Sequence, residues 1–276
     1  MGEELLIDTA LLPRAETVRG GVRRWTEQIS GFEHIGDFID TAGNSPVRRR
    51  VVQSLSGRER SLGDSSLGGL FAGRVYAHES RDDLAEFAAL RSGARINAYC
   101  NSMRFFEAHQ SAVRDQVRAI RSPGEWYLAQ KVKLQSEGAV ALHVRWGDYL
   151  NLKLVFGTVP PSYYQRGLEL LGRLHGDRPV WLFSDDPAGA AEYLRGTVSV
   201  AHIVEAPAQS SALENLLLLS AASGMVGANS SFSWWAAFLS RKADSSFVFP
   251  RPLYADGGPP EPKEWLIPDW MQIGRE

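Results

Sequence analysis

The chain has 276 residues, a single cysteine (Cys100) and a formal net charge of -2. One cysteine excludes an internal disulfide and a Cys-rich zinc site, and the near-neutral balance gives no electrostatic case for nucleic acid. Apolar residues make up 44% and charged residues 22%, yet no apolar run is long enough to span a bilayer and "MGEELLIDTALLP" lacks the basic n-region and apolar core of a signal peptide, so a globular cytoplasmic protein is expected.

The first 137 residues are irregular. "EELLID" reads as a strand, "ARINAYC" as another, and "DDLAEFAALRSG" and "SMRFFEAHQSAVRDQVRAI" as helices. The basic run "VRRRVVQ" around Arg48, Arg49 and Arg50 reads as a solvated face. "GDSSLGG" has the glycine spacing of a P-loop but places Gly69 where lysine belongs, which rejects it. A boundary is expected around "SPGEW", giving domains over 1–130 and 131–276.

From Gly138 the pattern is regular. "AVALHV" reads as a buried strand and "PPSYYQRGLELLGRLH" as a helix with Tyr163, Leu168, Leu171 and Leu174 at near-helical spacing. "PVWLFS" is the next strand, and "PAGAAEYLRG" the next helix, with Pro187 suited to its first position. "VAHIVE" is a third strand. "SALENLLLLSAAS" is an apolar helix opened by Ser211 and Glu214 at capping-box spacing. "GMVGA" is a strand, "FSWWAAFLS" a helix and "SFVFP" a last strand. Strands alternating with helices predict an α/β fold with a parallel sheet covered on both faces.

Binding sites in such sheets lie at the carboxyl ends of the strands, and three of these ends carry polar clusters. They are His143, Arg145 and Asp148 in "HVRWGDY", Ser184, Asp185 and Asp186 in "SDDP", and Asn229, Ser230, Ser231 and Ser233 in "NSSFS". Singly, each has a structural explanation. Asp186 before Pro187 is a good helix N-cap, "NSS" can cap the helix that follows, and His143 and Arg145 can pair with carboxylates. Together, an arginine, a hydroxyl-rich turn and a helix N-terminus at one sheet edge describe an anion site, with Arg145 able to fork to a phosphate. Other chemistries fit poorly. No G-x-G-x-x-G follows the first regular strand, no G-x-S-x-G elbow is present, no D-x-D triplet occurs, and the six histidines are scattered.

"HVRWGDY", "FSDDP" and "ENLLLLSAASGMVGANSSFSWWAAFL" together resemble the bacterial α-1,2-fucosyltransferases of glycosyltransferase family 11, whose motifs run His-x-Arg-Arg-Gly-Asp-Tyr, Phe-Ser-Asp-Asp and Asn-Ser-x-Phe-Ser-Trp-Trp. "INAYCNSMRFF", "PPSYYQRGLELL" and "EWLIPDW" fit the same pattern. The resemblance implies two Rossmann-like halves of the GT-B type. It implies transfer of L-fucose from GDP-fucose, without a metal and with inversion, to the 2-hydroxyl of a galactoside. The acceptor would be a galactose-terminated glycan or a lipid-linked oligosaccharide, reached by at most peripheral membrane association. It further implies that Arg145 holds the β-phosphate and that His143 and Asn229 to Ser233 line the donor site, with Asp185 and Asp186 beside them. Asn215 falls where the family recognises guanine or ribose. Asp148 is a candidate base or acceptor-orienting group, with a structural role as the alternative.

The chain departs from the family pattern in three places. Trp146 replaces a second arginine, Asn215 replaces an aspartate, and no Gly-Gly-Leu-Gly-Asn-Gln loop precedes "EELLID". The last departure leads to the expectation of an incomplete N-terminal half. Strand alternation turns Trp146 away from Arg145, either packing on the adjacent helix or weakening transition-state stabilisation. Two alternatives stand beside the leading reading: transfer from another nucleotide sugar, and a diverged module that binds nucleotide or glycan without turnover.

Overall fold

A computed structural model describes residues 6–8, 16–18, 21–23, 37–39, 75–77, 95–97, 103–119, 122–147, 157–240, 246–256, 261 and 265–276. The chain divides into two compact units, Met1–Ala119 and Ile120–Glu276, where the sequence analysis put the boundary at 130. The expected helix over 82–93, the basic run near Arg49 and the "GDSSLGG" stretch lie outside the described residues.

Among the described residues, six short strands mark the first unit: β1 (Leu6–Asp8), β2 (Glu16–Val18), β3 (Gly21–Arg23), β4 (Asp37–Ile39), β5 (Val75–Ala77) and β6 (Arg95–Asn97). β1 pairs with β4 and β5 with β6 in parallel, while β2 and β3 pair antiparallel. The single helix expected over 102–120 is split. A 3-10 segment, Met103–His109, leads into α1 (Gln110–Arg118).

The second unit is built on a six-stranded parallel sheet. Its strands are β7 (Val140–Val144), β8 (Val180–Ser184), β9 (His202–Ile203), β10 (Gly224–Val226), β11 (Ser246–Arg251) and β12 (Met271–Gly274). Its helices are α2 (Glu125–Ser136), α3 (Pro161–His175), α4 (Pro187–Leu194), α5 (Ala212–Ser220) and α6 (Ser231–Leu239). Strand order across the sheet is β12-β11-β10-β7-β8-β9, and every pairing is parallel. The chain starts in the middle with β7, winds outward to β9, then crosses back to lay β10 on the other side of β7. This is the dinucleotide-fold strand order, and its reversal opens a crevice between the ends of β7 and β10, where ligands bind in such sheets.

Local chemistry fixes these elements. β7 is buried on both faces from Val140 to Val144, as a central parallel strand requires. α3 begins with Pro161 at its first turn and buries Tyr163, Tyr164, Gly167 and Leu171 along one stripe. Gly167 is needed there, because a Cβ would lie 2.6 Å from Val226 Cγ1. The Tyr163 hydroxyl donates to the carbonyls of Gly227 (2.8 Å) and Val248 (3.1 Å), tying the helix to the ends of β10 and β11. α5 carries the expected capping box: Ser211 Oγ accepts from Glu214 N (3.1 Å) and Glu214 Oε2 from Ser211 N (2.8 Å). Glu214 Oε1 also accepts from Gly124 N at 2.7 Å, which pins the start of α2.

The tryptophan pair belongs to an aromatic wall. Trp234 is buried, stacks on Phe238 (5.4 Å) and meets Trp270 edge-on (5.7 Å), which in turn stacks on Phe249 (5.0 Å). Its indole N–H donates to the Trp265 carbonyl. α6 is thereby welded to β11 and to the segment before β12, which leaves its polar first turn as the part that faces the sheet edge.

Candidate active site

The ends of β7, β8 and β10 converge as expected, and the convergence is held by named bonds. β10 pairs with β7 in the register Met225↔Ala141 and Val226↔Leu142, so the turn after Val226 lies beside His143. His143 Nδ1 is 2.6 Å from Ser233 Oγ, and Ser233 Oγ also accepts the N–H of Ala228 at 3.0 Å. The Phe232 ring lies 5.4 Å from the imidazole. One hydroxyl thus joins the end of β7, the turn after β10 and the first turn of α6.

His143 is 3% exposed. Burial, helped by repulsion from Arg145 and opposed by Asp185, pushes its pKa down to about 3. The imidazole is neutral at physiological pH.

Arg145, two residues along, falls on the same side of the strand direction as His143. Its Nε lies 3.4 Å from Asp185 Oδ2, with the two side chains 29% and 21% exposed. Asp185 Oδ1 accepts the N–H groups of Trp146 (2.9 Å) and Gly147 (3.2 Å). Burial raises the Asp185 pKa, but Arg145, the two N–H groups and His143 outweigh it and hold the carboxyl below its ordinary value. Asp185 therefore stays charged, and both its oxygens are spent on the turn that carries Arg145.

The remaining expected residues take distinct places. Asp186 is the N-cap of α4, its Oδ1 accepting from Gly189 N at 3.2 Å. Ser230 is the N-cap of α6, its Oγ accepting from Phe232 N at 3.2 Å. Ser231 follows in an exposed position, and Ser233 is fully buried. Asn229 is buried and donates to the Gly157 carbonyl at 3.4 Å. Asn215 turns back on its own helix and donates to Ser211 O at 3.1 Å. Asp148 lies outside the described residues. Trp146 turns away from this cluster onto α4. Its ring stands 4.1 Å from that of Tyr193, and Gly189 is the residue that lets it approach, because a Cβ there would sit 2.8 Å from the indole.

Sequence reasoning missed three supports: the Phe232 ring over His143, the Tyr163 hydroxyl behind the β10 turn, and the Glu214 link to Gly124. Only Glu214 carried a signal, its capping box, and that motif accounts for just one of its two oxygens. Among the described residues no group of His, Cys, Asp or Glu side chains converges to hold a metal ion. A cavity of about 730 Å³ borders Val140, Arg173, Arg178, Val180 and Thr197. It sits at the amino ends of β7 and β8, the edge opposite the polar cluster, and so is not this site.

Comparison with known proteins gives the site a lineage. The sequence model of glycosyl transferase family 11 matches residues 75–273. The O-antigen biosynthesis glycosyltransferase WbnK of Escherichia coli is 26% identical over 132 residues, covering 47% of this chain and 43% of the relative. An alpha-1,2-colitosyltransferase of Escherichia coli is 24% identical over 189 residues, covering 64% of this chain and 63% of the relative. The chain thus spans about half the length of the curated relatives it matches. Among solved structures, NodZ alpha-1,6-fucosyltransferase soaked with GDP-fucose aligns with a TM-score of 0.36 and 18% identity, over 58% of this chain and 57% of that one. The family match runs through every strand end that carries the polar cluster, and the chain belongs to glycosyl transferase family 11.

Proposed function

We propose that this family member moves L-fucose from GDP-fucose to the 2-hydroxyl of a galactoside, with inversion at the anomeric carbon. The observation that supports it best is the bond between His143 and Ser233. That bond brings an arginine-bearing strand end against the neutral, serine-capped start of α6, at the strand-order reversal. In this reading the Arg145 guanidinium and the N–H groups opening α6 hold the diphosphate. Sugar transfer develops oxocarbenium character on the sugar and negative charge on the departing GDP. Cationic and N–H groups fixed before the reaction stabilise that charge without reorganising. A carboxylate would repel the diphosphate, so Asp185 contributes by holding Arg145 in place. Asp148 is proposed as the base that takes the acceptor proton, and Asn215 as a contact to guanine or ribose. The reading includes two Rossmann-like halves and chemistry that needs no divalent metal. Its acceptor is a galactose-ended glycan or lipid-linked oligosaccharide met at the cytoplasmic face of a membrane. Among the described residues no helix is long and apolar enough to cross one.

The test is incubation with GDP-fucose and a panel of galactosides, with and without chelator, followed by linkage analysis of the product. The expected outcome is GDP release and an α-1,2-linked fucoside in both conditions. A second reading, transfer from a different nucleotide sugar, is favoured by the relative named as a colitosyltransferase. Turnover of that donor class with none of GDP-fucose would replace the first reading. GDP binding without turnover of either donor would favour a diverged binding module, in line with the Trp146 and Asn215 departures.

A further inference from the structure

Ser233 was expected to line the donor site directly, but its side chain is fully buried. A serine hydroxyl has one proton to give and two lone pairs. The Ala228 N–H at 3.0 Å occupies one lone pair. The neighbour at 2.6 Å is His143 Nδ1. If Nδ1 carried the ring proton, two N–H groups would point at Ser233 Oγ, and the hydroxyl proton would have no acceptor among the described residues. A buried hydroxyl left unpaired is costly. If the hydroxyl donates to Nδ1 instead, every group in the chain Ala228 N–H, Ser233 O–H, His143 Nδ1 is satisfied. The neutral ring then carries its proton on Nε2. That nitrogen has no hydrogen-bond partner among the described residues, although the residue is only 3% exposed. The rest of the ring is committed: Ser233 takes one nitrogen, and Phe232 packs alongside the ring. Nε2–H is left as a buried donor at the crevice between β7 and β10.

We infer that Ser233 is a positioning residue that fixes His143 as the Nε2–H tautomer, so that His143 meets the nucleotide as a neutral hydrogen-bond donor to one of its acceptor atoms. This rests on the reading of the crevice as a nucleotide site. It separates the two basic groups of the site. Arg145 supplies charge to the diphosphate, and His143 supplies a directed, uncharged N–H whose orientation is set from behind.

The experiment is nitrogen-15 spectroscopy of the histidine rings at pH 7, free and with GDP, the His143 signals being identified by their loss in His143→Asn. The expected spectrum has a bare Nδ1 and a protonated Nε2, and the Nε2 signal moves when GDP is added. Ser233→Thr, which keeps the hydroxyl, retains the tautomer and GDP affinity. Ser233→Ala mixes the tautomers and weakens GDP about tenfold, the scale of one lost hydrogen bond. A protonated Nδ1 in the wild-type protein overturns the inference, and the wild-type spectrum decides this even where Ser233→Ala does not fold. An unchanged tautomer in a folded Ser233→Ala also overturns it. If the wild-type tautomer is as stated but GDP does not bind, the nucleotide reading falls and the Ser233–His143 arrangement stands.

Discussion

Two helices of the second unit start at the same edge of the same sheet, and their first turns are built differently. α4 opens with Asp185 and Asp186, and the Asp186 carboxylate caps it. α6 opens with Asn229, Ser230 and Ser231, and the neutral Ser230 hydroxyl caps it. Either cap satisfies an orphan N–H. Only the carboxylate also cancels the partial positive charge of the helix end. The start of α4 is therefore closed to an anion, and its spare carboxylate, Asp185, holds Arg145. The start of α6 keeps its positive potential and lies against His143. One strand-turn-helix grammar thus yields a carboxylate-capped start in one place and, in the other, a neutral start that the proposed function uses to bind the diphosphate.

The comparison breaks most sharply if charge is moved from one helix start to the other. Ser230→Asp keeps a good cap but buries a charge at a site only 6% exposed, so the melting temperature should hold or fall modestly. GDP affinity should fall on the order of a hundredfold, from one unit charge a few ångströms from a phosphate at intermediate dielectric. Retained affinity in calorimetry would mean that the diphosphate lies elsewhere.

Trp146→Arg probes the supporting side. The family pattern makes this a restoration, and on sequence grounds two readings of Trp146 stand side by side: packing on the adjacent helix, or weakened transition-state stabilisation, in which case the arginine would raise kcat. The structure packs the indole on Tyr193 and Gly189. The substitution should therefore cost about 2 kcal/mol in denaturant unfolding. A stable variant with raised kcat would favour the transition-state reading over the packing one.

Acid separates the two ends by titration. The folded pKa of His143 is lowered to about 3 from 6.5, so the unfolded chain takes up the proton first. Stability should fall as pH drops below about 6.5, by up to about 1.4 kcal/mol per pH unit. Asp185 is also lowered, from 3.8, so its contribution is present above that value and lost only as pH falls through its folded pKa. Between pH 5 and 6.5 the dependence comes from His143 and from His202, whose pKa burial also lowers, so His143→Asn should reduce the slope and leave a remainder. An equally steep slope in that variant would place the titrating group elsewhere.

The smallest effect is expected of Asp186→Asn. Asparagine caps as well as aspartate, so stability should hold within about 0.5 kcal/mol and GDP affinity within about threefold. A larger loss of affinity would give α4 a direct role.

What the sequence made legible follows from how each signal arises. The α/β alternation from residue 139 onward could be read because its strands are mostly apolar runs and its helices begin with proline, a capping box or a serine N-cap. α2 was read as a domain boundary because it shows almost no amphipathic stripe. Only Tyr127 and Leu134 are buried, while Leu128 and Val132 are exposed. β12 was missed because four residues between polar turns carry too little pattern. β9 shrank from the expected six residues to His202–Ile203, as befits an edge strand with one partner. The three serines of the α6 turn could be placed at the site as a group, but their roles could not be told apart. Ser230 caps, Ser231 is exposed and Ser233 binds His143, and one rotation of the helix start would exchange these tasks. That rotation is set by Trp234, which packs on Trp270 and donates to the Trp265 carbonyl, both outside the helix.

The central claim is that the cation after β7 and the neutral start of α6 form one diphosphate site. Calorimetric titration of GDP into wild-type protein and into Arg145→Ala tests it most directly, with circular dichroism confirming that the variant is folded. A charge-assisted hydrogen bond is worth about 1.5–3 kcal/mol, so affinity should fall at least about tenfold while the spectrum is unchanged. A folded Arg145→Ala that binds GDP as tightly as the wild type would contradict the account.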